Sequence, residues 1–348
     1  MAYTQDGIVL LAKKAGITSF KSLNTIKKAL DTKKVGHTGT LDSFAQGLLV
    51  VCTGKLTKLA SNIIEFDKQY QAVIKFGEET DTLEYTGKVV NSTRLPDLET
   101  LKSAIKKFTG NIMQKPPAFS SIHINGERAS NLARQGQICE IPNRPVTVYK
   151  ADIIDVKLNS ENLVEYALID FTVSKGTYIR SLARDIGKSC SSSAHLIGLY
   201  RTRVGNFKIE DSAGFEKLED FTINSAIKTA KEELKKIQTI SPFENKKVKE
   251  KFIPDQEELS LQEEVRQKML NFSDTMAQNC SFEIIHLLNQ NAALDFCNGK
   301  NLRSKLFDTN LHSLKENSLI AVFTNDDIFT GLIEKDTTGR IHYKFVIN

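Results

Sequence analysis

The alternation of apolar and polar residues along the first half of the chain predicts helices and strands in mixed order. Residues 18–30 have a helical period that begins at Thr18, a good N-cap residue. Residues 70–77 alternate with a period of two and end at a glycine, which predicts a strand. Residues 97–109 again follow a helical period and stop before Gly110. The apolar face of the first predicted helix comprises Phe20, Leu23, Ile26 or Lys27, and Leu30.

The same pattern continues through the middle of the chain. Residues 146–157 and 163–173 are rich in Val, Ile, Tyr and Phe and enclose a turn-like NSEN, so they predict a hairpin. A helix is predicted to begin close to Tyr178, and residues 195–210 return to strand character. Strands and helices without regular βαβ alternation predict an α+β fold.

The composition changes along the chain and predicts more than one domain, since a chain of 348 residues exceeds the usual limit of a single core. Residues 225–275 are rich in Lys, Glu and Gln and predict one or two exposed helices. We expect a large mixed domain over 1–235, a charged helical connector over 236–282 and a small β-rich domain over 283–348.

Charge and composition indicate which kind of binding partner and which cellular compartment to expect. The net charge is +5, and residues 13–75 contain eleven lysines against four acidic residues, which favours a polyanionic partner or, alternatively, a solvated lysine-rich surface. The sequence contains neither a signal-peptide pattern nor an apolar stretch long enough for a membrane helix. The five cysteines are scattered and odd in number, as expected of reduced thiols in the cytoplasm.

The segment GHTGTLDSFAQG, residues 36–47, contains the strongest candidate for chemistry. Its one carboxylate, Asp42, precedes an apolar run, so it could cap a helix. Three glycines in the segment indicate instead that main-chain conformation or close ligand approach matters there. Phosphate-loop, paired-histidine metal and G-x-S-x-G patterns are absent. What remains is a carboxylate nucleophile or base beside basic and aromatic residues.

Four motifs in order resemble the TruB family of tRNA pseudouridine synthases. They are GHTGTLDSFAQGLLVVCTGKLTKL, DKQYQAVIKFGEETDT, SKGTYIRSLARDIG and AHLIGLYRTRVGNF, and the resemblance runs over about residues 7–210. Residues near the C-terminus more weakly resemble a PUA-type RNA-binding domain. The resemblance implies a pseudouridine synthase catalytic fold, with a mixed, largely antiparallel sheet flanked by helices, plus a small β-rich PUA-like domain.

The resemblance also implies roles for individual residues. Asp42 would be the catalytic aspartate, assisted by Arg180, and Tyr70 would stack on the target uracil. The other substrate-binding positions would be His37, Tyr178, Leu199 and Lys13. The lysine-rich residues 13–34 would follow the phosphate backbone.

The expected activity is the isomerisation of uridine to pseudouridine in the T loop of tRNA. The base would be flipped out, detached from C1′, rotated and rejoined through C5. We expect no metal and no cofactor, a cytoplasmic monomer, the T-arm stem-loop of tRNA as partner, and no obligate protein partner.

The sequence departs from the family pattern in two places, and it leaves two alternative functions open. Ala12 and Lys14 replace the usual Asp and Pro near the N-terminus, and Glu84 replaces an Asp in the D-T-x-D-x-x-G motif. A catalytically silent RNA-binding protein could use the same cleft. A family enzyme acting on other RNAs within a protein complex is the other alternative.

Overall fold

The computed structural model describes residues 5–120, 122–124, 126–137, 140–239 and 255–347. The strands are β1 (Gly7–Lys13), β2 (Val35–His37), β3 (Gln46–Thr53), β4 (Lys68–Phe76), β5 (Glu78–Thr80), β6 (Val89–Ser92), β7 (Gly110–Gln114), β8 (His123–Ile124), β9 (Glu127–Arg128), β10 (Arg144–Leu158), β11 (Val164–Val173), β12 (Ala194–Val204), β13 (Phe207–Lys208), β14 (Glu283–His286), β15 (Ser318–Phe323), β16 (Phe329–Lys335) and β17 (Ile341–Val346). The helices are α1 (Ser19–Ala29), α2 (Ala60–Ile63), α3 (Leu98–Lys107), α4 (Ala129–Arg134), α5 (Ile179–Ser189), α6 (Ile223–Thr239), α7 (Gln256–Gln267), α8 (Asp274–Asn279) and α9 (Gln290–Cys297).

A nine-stranded sheet forms the centre of the molecule. Its main path runs β1-β3-β12-β4-β11-β10-β7, with β2 beside β3 and β13 beside β12. The β3–β12 pair is parallel, whereas β1–β3, β12–β4, β4–β11, β11–β10 and β10–β7 are antiparallel. The predicted α+β class with a mixed, largely antiparallel sheet is confirmed.

The parallel contact between β3 and β12 depends on one glycine. Gly47 has a φ of +115°, and a Cβ added there would lie 2.4 Å from the carbonyl oxygen of Arg201. Only glycine allows both this main-chain conformation and this close approach. The strand that follows Asp42 is therefore placed directly against the strand that contains Leu199 and Arg201.

Helix α1 begins where the sequence predicts, since the Thr18 hydroxyl accepts a hydrogen bond from the main-chain N–H of Lys21. The predicted apolar face is wrong at one position. Phe20 is 69% exposed, whereas the buried residues of the helix are Ser19, Leu23, Ile26 and Ala29. The helix is rotated so that Ser19 contacts the main chain of Leu41, which turns Phe20 outward beneath the ammonium group of Lys27.

Two other expectations need correction. Strand β12 ends at Val204, short of the predicted residue 210, because Gly205 turns the chain with a φ of +54° into the short strand β13. The two helices of the charged segment are also less exposed than predicted. Helix α6 buries Ile223, Ala226 and Ala230 in the core of the central sheet, and α7 buries Val265 beside α1.

The C-terminal residues form a four-stranded sheet in the order β14-β15-β16-β17. One face packs around its own core with α9. The opposite face joins an apolar cluster that also contains residues of β1, β3 and β12, so the two sheets share one core. We call this shared cluster the C-terminal junction, and its buried aromatic residues are Phe207, Phe272, Phe282, Phe323 and Phe329.

Two sequence-level features are visible in the described residues. None of their helices combines the length and the apolar character that crossing a membrane requires. Cys52, Cys190, Cys280 and Cys297 are free thiols, and Cys139 lies outside the described residues.

Candidate functional site

Asp42 lies in an irregular loop between β2 and β3. The residues after it do not form a helix, because the apolar run that could have followed an N-cap is strand β3. The helix-cap interpretation of Asp42 is therefore wrong. Leu41, Phe44 and Ala45 are buried on both sides of Asp42, while the Asp42 side chain remains 33% exposed. The apolar residues thus anchor the loop in the protein interior, while the carboxylate of Asp42 stays accessible to solvent.

Three polar side chains hold the main chain of this loop. The Ser19 hydroxyl donates to the carbonyl oxygen of Leu41 at 2.8 Å and accepts from its N–H at 2.9 Å. Arg201 donates to the carbonyls of Gly39 and Leu48, at 3.2 and 2.8 Å. The ammonium of Lys13 lies within hydrogen-bond distance of the carbonyls of Lys14, Ile17, Ser43 and Ala45.

Lys13 therefore differs from its expected role in contacting RNA. Its side chain is buried, with the residue 1% exposed, and its ammonium is directed at carbonyls inside the protein. Burial lowers its pKa to about 7, with Asp42 opposing this shift and Arg201 adding to it. In this structure Lys13 positions the Asp42 loop and is not accessible to a phosphate.

Arg180 forms an ion pair with Asp42. Its Nη2 donates to Oδ1 of Asp42 at 3.1 Å, and its Nε lies 3.0 Å from Oδ2. The guanidinium is itself fixed, because it also donates to the carbonyls of Thr82 and Phe119 at 3.0 and 2.9 Å. Since Arg180 is only 6% exposed, its charge faces Asp42 from inside the protein.

A cleft of about 250 Å³ opens above this ion pair. Five of the seven predicted site residues line it: Asp42, Tyr70, Tyr178, Arg180 and Leu199. Among the described residues that line the cleft, Asp42 is the only carboxylate, while Lys68, Arg180 and Arg201 supply positive charge. The cleft thus combines a paired carboxylate with two tyrosine rings and a cationic wall.

Tyr178 is held by Gln114, a side chain that is completely buried. The amide oxygen of Gln114 accepts from the main-chain N–H of Tyr178 at 2.8 Å, and its amide nitrogen donates to the Tyr178 carbonyl at 3.1 Å. The guanidinium of Arg144 lies over the Tyr178 ring, 4.8 Å from its centroid. The position of this ring at the start of α5 is therefore fixed from two directions.

His37 lies at the end of β2 and does not line the cleft. Its Nδ1 accepts a hydrogen bond from the N–H of Gly39 at 3.4 Å. Burial and the nearby Arg201 lower the pKa of His37, which favours the neutral imidazole that this acceptor role requires. His37 thus adjoins the Asp42 loop, outside the cleft.

Glu84 adjoins the same charges from the loop after β5. Burial raises its pKa to about 7, and Asp42 adds to this rise while Arg180 opposes it. The carbonyl of Thr82, two residues earlier, holds Arg180. The motif that contains Glu84 therefore contributes to the site through its main chain.

Sequence reasoning missed several residues that build the site. Arg201, Ser19 and Gln114 act on main-chain atoms of distant segments, and no local spacing predicts such contacts. Lys68 also lines the cleft, where burial lowers its pKa to about 8. The sequence contained one signal, and it concerned Arg201. This residue lies two positions after Leu199 in a predicted strand, so both side chains are expected on the same side of β12.

Comparison with known proteins gives a consistent result. Residues 27–179 match the family model described as TruB family pseudouridylate synthase (N terminal domain). A tRNA pseudouridine synthase B of Treponema denticola is 39% identical over 363 residues, which cover 96% of this chain and 96% of that protein. A tRNA pseudouridine synthase B of Borreliella afzelii is 46% identical over 209 residues, or 60% of this chain and 73% of that protein.

Solved structures support the same fold at lower identity. The crystal structure of a Cbf5-Nop10-Gar1 complex contains a chain that aligns with a TM-score of 0.63 at 21% identity, covering 98% of this chain and 85% of that chain. The archaeal box H/ACA sRNP Nop10-Cbf5 complex gives a TM-score of 0.60 at 21% identity, covering 99% of this chain and 86% of that chain. These alignments include the C-terminal sheet.

Proposed function

Because the chain belongs to the TruB family of pseudouridine synthases and isomerises uridine to pseudouridine in tRNA, we propose that its target is a uridine of the T loop. The observation that carries the proposal is the Asp42–Arg180 ion pair beneath a cleft lined by Tyr70 and Tyr178. A nucleotide inside a folded loop cannot reach this carboxylate unless its base leaves the stack.

Tyr70 supports the entry of an extruded base into the cleft. The residue is 9% exposed, and it lies on strand β4 opposite Arg201 of β12 and Phe171 of β11. Extrusion costs a few kcal/mol, and stacking on an aromatic ring recovers about 1–3 kcal/mol per base. Tyr70 would stack on the uracil, and Tyr178 and Leu199 would bound the remaining space.

The guanidinium of Arg180 lies against the carboxylate of Asp42, so its positive charge faces the group that would react. In the proposed reaction the C1′–N1 bond breaks, the uracil rotates while it is held in the cleft, and a C1′–C5 bond forms. The C5 proton is then released to solvent, and N1, freed from C1′, takes up a proton from solvent, so the product has the same atoms as the substrate. Asp42 serves as the nucleophile or as the base in this sequence.

The surroundings of the cleft suit an RNA stem-loop. Lys68 and Arg201 add positive charge to the walls, and His37 lies beside the Asp42 loop, where it could support a distorted RNA loop. We propose residues 1–235 as the catalytic domain, 236–282 as the connector and 283–348 as a PUA-like RNA-binding domain. The enzyme would work in the cytoplasm as a monomer on the T arm, without an obligate protein partner.

Tritium release from an unmodified tRNA transcript labelled at uridine C5 tests this function. The native protein should release about one equivalent per tRNA at a single T-loop uridine, as located by mapping the modified position. Asp42→Asn should reduce the rate by a factor of about 10²–10⁴ or more while RNA affinity is retained.

Asp31→Asn is the matched control, because Asp31 is exposed and its φ of 46° is one that Asn also adopts. This variant should release tritium at the native rate. If the native protein binds tRNA tightly but releases no tritium, the silent RNA-binding alternative replaces the proposal. If tritium is released from uridines outside the T loop, the target assignment is wrong.

A further inference from the structure

A second cluster of charged side chains lies at the edge of the C-terminal sheet, and none of its members lines the cleft. Asp274 begins α8, His286 ends β14, and Asp327 lies in the turn between β15 and β16. One ligand atom from each of the three residues lies within 4.8 Å of the others. The three residues are far apart in sequence, so no spacing motif indicates this cluster.

Two atoms of the cluster are buried without a partner among the described residues. Nε2 of His286 and Oδ1 of Asp274 are both shielded from solvent, and neither makes a hydrogen bond. Buried polar atoms are nearly always satisfied, by protein, by water or by an ion. The imidazole and the carboxylate therefore bring a nitrogen and an oxygen atom without hydrogen bonds to the same place.

The separations fit a bound metal ion better than direct hydrogen bonds. Nε2 of His286 lies 3.4 Å from Oδ2 of Asp274 and 3.3 Å from Oδ1 of Asp327. Both distances exceed the usual N–H···O length of about 2.7–3.2 Å. Two ligand atoms bound to one tetrahedral Zn²⁺ at bond lengths of about 2.0–2.2 Å would lie about 3.4 Å apart.

The other ring nitrogen of His286 faces a third carboxylate. Oδ2 of Asp308 lies 3.4 Å from Nδ1. Asp308 is itself anchored, because its Oδ1 accepts the main-chain N–H of His286 at 3.0 Å. Histidines that bind metals commonly have a carboxylate on the second nitrogen, which orients the ring and sets its tautomer. The ring also packs against Phe323 of the C-terminal junction, at 5.7 Å between centroids.

We propose that Asp274, His286 and Asp327 bind one divalent transition-metal ion of the Zn²⁺ class, with Asp308 supporting the histidine. One imidazole and two carboxylates suit this class, and water completes the coordination. The ion would connect α8 to the C-terminal sheet at the edge of the junction. Its role would be to stabilise that attachment, and it takes no part in the chemistry of the cleft.

Titration of metal-free full-length protein with Zn²⁺ tests the site by calorimetry and by thermal unfolding. We expect one equivalent to bind and the melting temperature to rise with Zn²⁺ concentration. His286→Gln and Asp327→Asn should each abolish this binding and this rise. Asp308→Asn should weaken Zn²⁺ affinity by a factor of about 10–100.

Two features keep the test decisive. The Asp327 side chain is 80% exposed and its φ is 59°, which Asn also adopts, so Asp327→Asn should fold normally. His342→Gln is the matched control, since His342 forms an exposed pair with Asp336, Nε2 to Oδ2 3.0 Å apart, and it should bind Zn²⁺ as the native protein does.

Equal Zn²⁺ binding by the native protein and Asp327→Asn would overturn the proposal. So would a His286→Gln variant that is less stable than the native protein to the same extent with and without Zn²⁺. That second result would mean that His286 is held by direct ion pairs with the aspartates.

Discussion

The Asp42 loop and the C-terminal junction are held together by different interactions. In the loop, Ser19, Lys13 and Arg201 reach carbonyl and amide groups of an irregular main chain. In the junction, aromatic rings pack against the apolar side chains of β1 and β3. Hydrogen bonds depend on direction, whereas apolar burial depends mainly on area and volume.

This difference predicts that the two regions respond differently to substitution. A change in the loop should misplace the carboxylate of Asp42 and reduce catalysis with a smaller effect on stability. A change in the junction should reduce stability and leave catalysis by the folded protein intact. Each of the following experiments measures activity, stability or both. Together they can therefore contradict the predicted difference between the loop and the junction.

The largest effect is expected from Phe323→Ala in the junction. Phe323 is fully buried and contacts the rings of Phe272 and Phe329, so truncation should lower the free energy of unfolding by about 3–5 kcal/mol. Denaturant unfolding measures this loss, and tritium release at low temperature should give a native kcat. Phe20→Ala, at a position that is 69% exposed, is the control and should change neither quantity.

Arg201→Met should have the next largest effect, this time on catalysis. The variant loses the hydrogen bonds to Gly39 and Leu48, and a displacement of about 1 Å at a catalytic group can reduce the rate about 100-fold. Arg203→Met is the control on the same strand, because Arg203 bonds Gln69 and Gly205 and does not line the cleft. Similar kcat values for the two variants would contradict a positioning role for Arg201.

Substitutions at Tyr70 should have intermediate effects that separate the ring from its hydroxyl group. Tyr70→Ala removes the proposed stacking on uracil and should reduce kcat/KM by about 5- to 150-fold, since stacking contributes about 1–3 kcal/mol per base. Tyr70→Phe keeps the ring and should retain most of the activity. Equal losses in the two variants would exclude stacking as the role of this residue.

The smallest effect, measured per pH unit, is a pH dependence that arises from Lys13. Its pKa falls from 10.5 in the unfolded chain to about 7 in the folded protein, so the unfolded chain binds more protons between these pH values. Stability should therefore rise with pH from about 7 towards 10.5, by at most about 1.4 kcal/mol per pH unit. This pH dependence is measured as the difference in unfolding free energy between the native protein and Lys13→Met across the pH range. A difference that stays constant over this range would contradict the lowered pKa.

The sequence predicted the parts of the site that are encoded by residue type in a recognisable order. Asp42, Tyr70, Tyr178, Arg180 and Leu199 lie in four separate motifs, and the fold brings them around one cleft. Their catalytic and binding roles stay predictions until the variants are measured. The helix and strand patterns also placed α1, β4, α3, the β10–β11 hairpin and α5 where they occur, because each has a clear period and an identifiable end.

What the sequence did not predict depends on contacts between distant segments. Asp42 before an apolar run suits a helix cap, and only the pairing of β3 with β1, β2 and β12 makes that run a strand. Lys13 resembles other surface lysines in sequence, yet the carbonyls of Ser43 and Ala45 draw it inward. Glu257 and Glu258 of α7 likewise pair with Lys14 and Lys28, charges that composition alone would assign to RNA.

The shared core of the two sheets also constrains the order of events during protein synthesis. Strand β1 leaves the ribosome long before β16 and β17 do, but its apolar cluster includes Phe329 and Leu332 of β16 and is covered by Phe345 of β17. Domains of a nascent chain often fold in sequence order as they emerge. Here the core of β1 and β3 can close only after β16 and β17 have been translated, and until then the apolar side chains of β1 and β3 in this cluster stay uncovered.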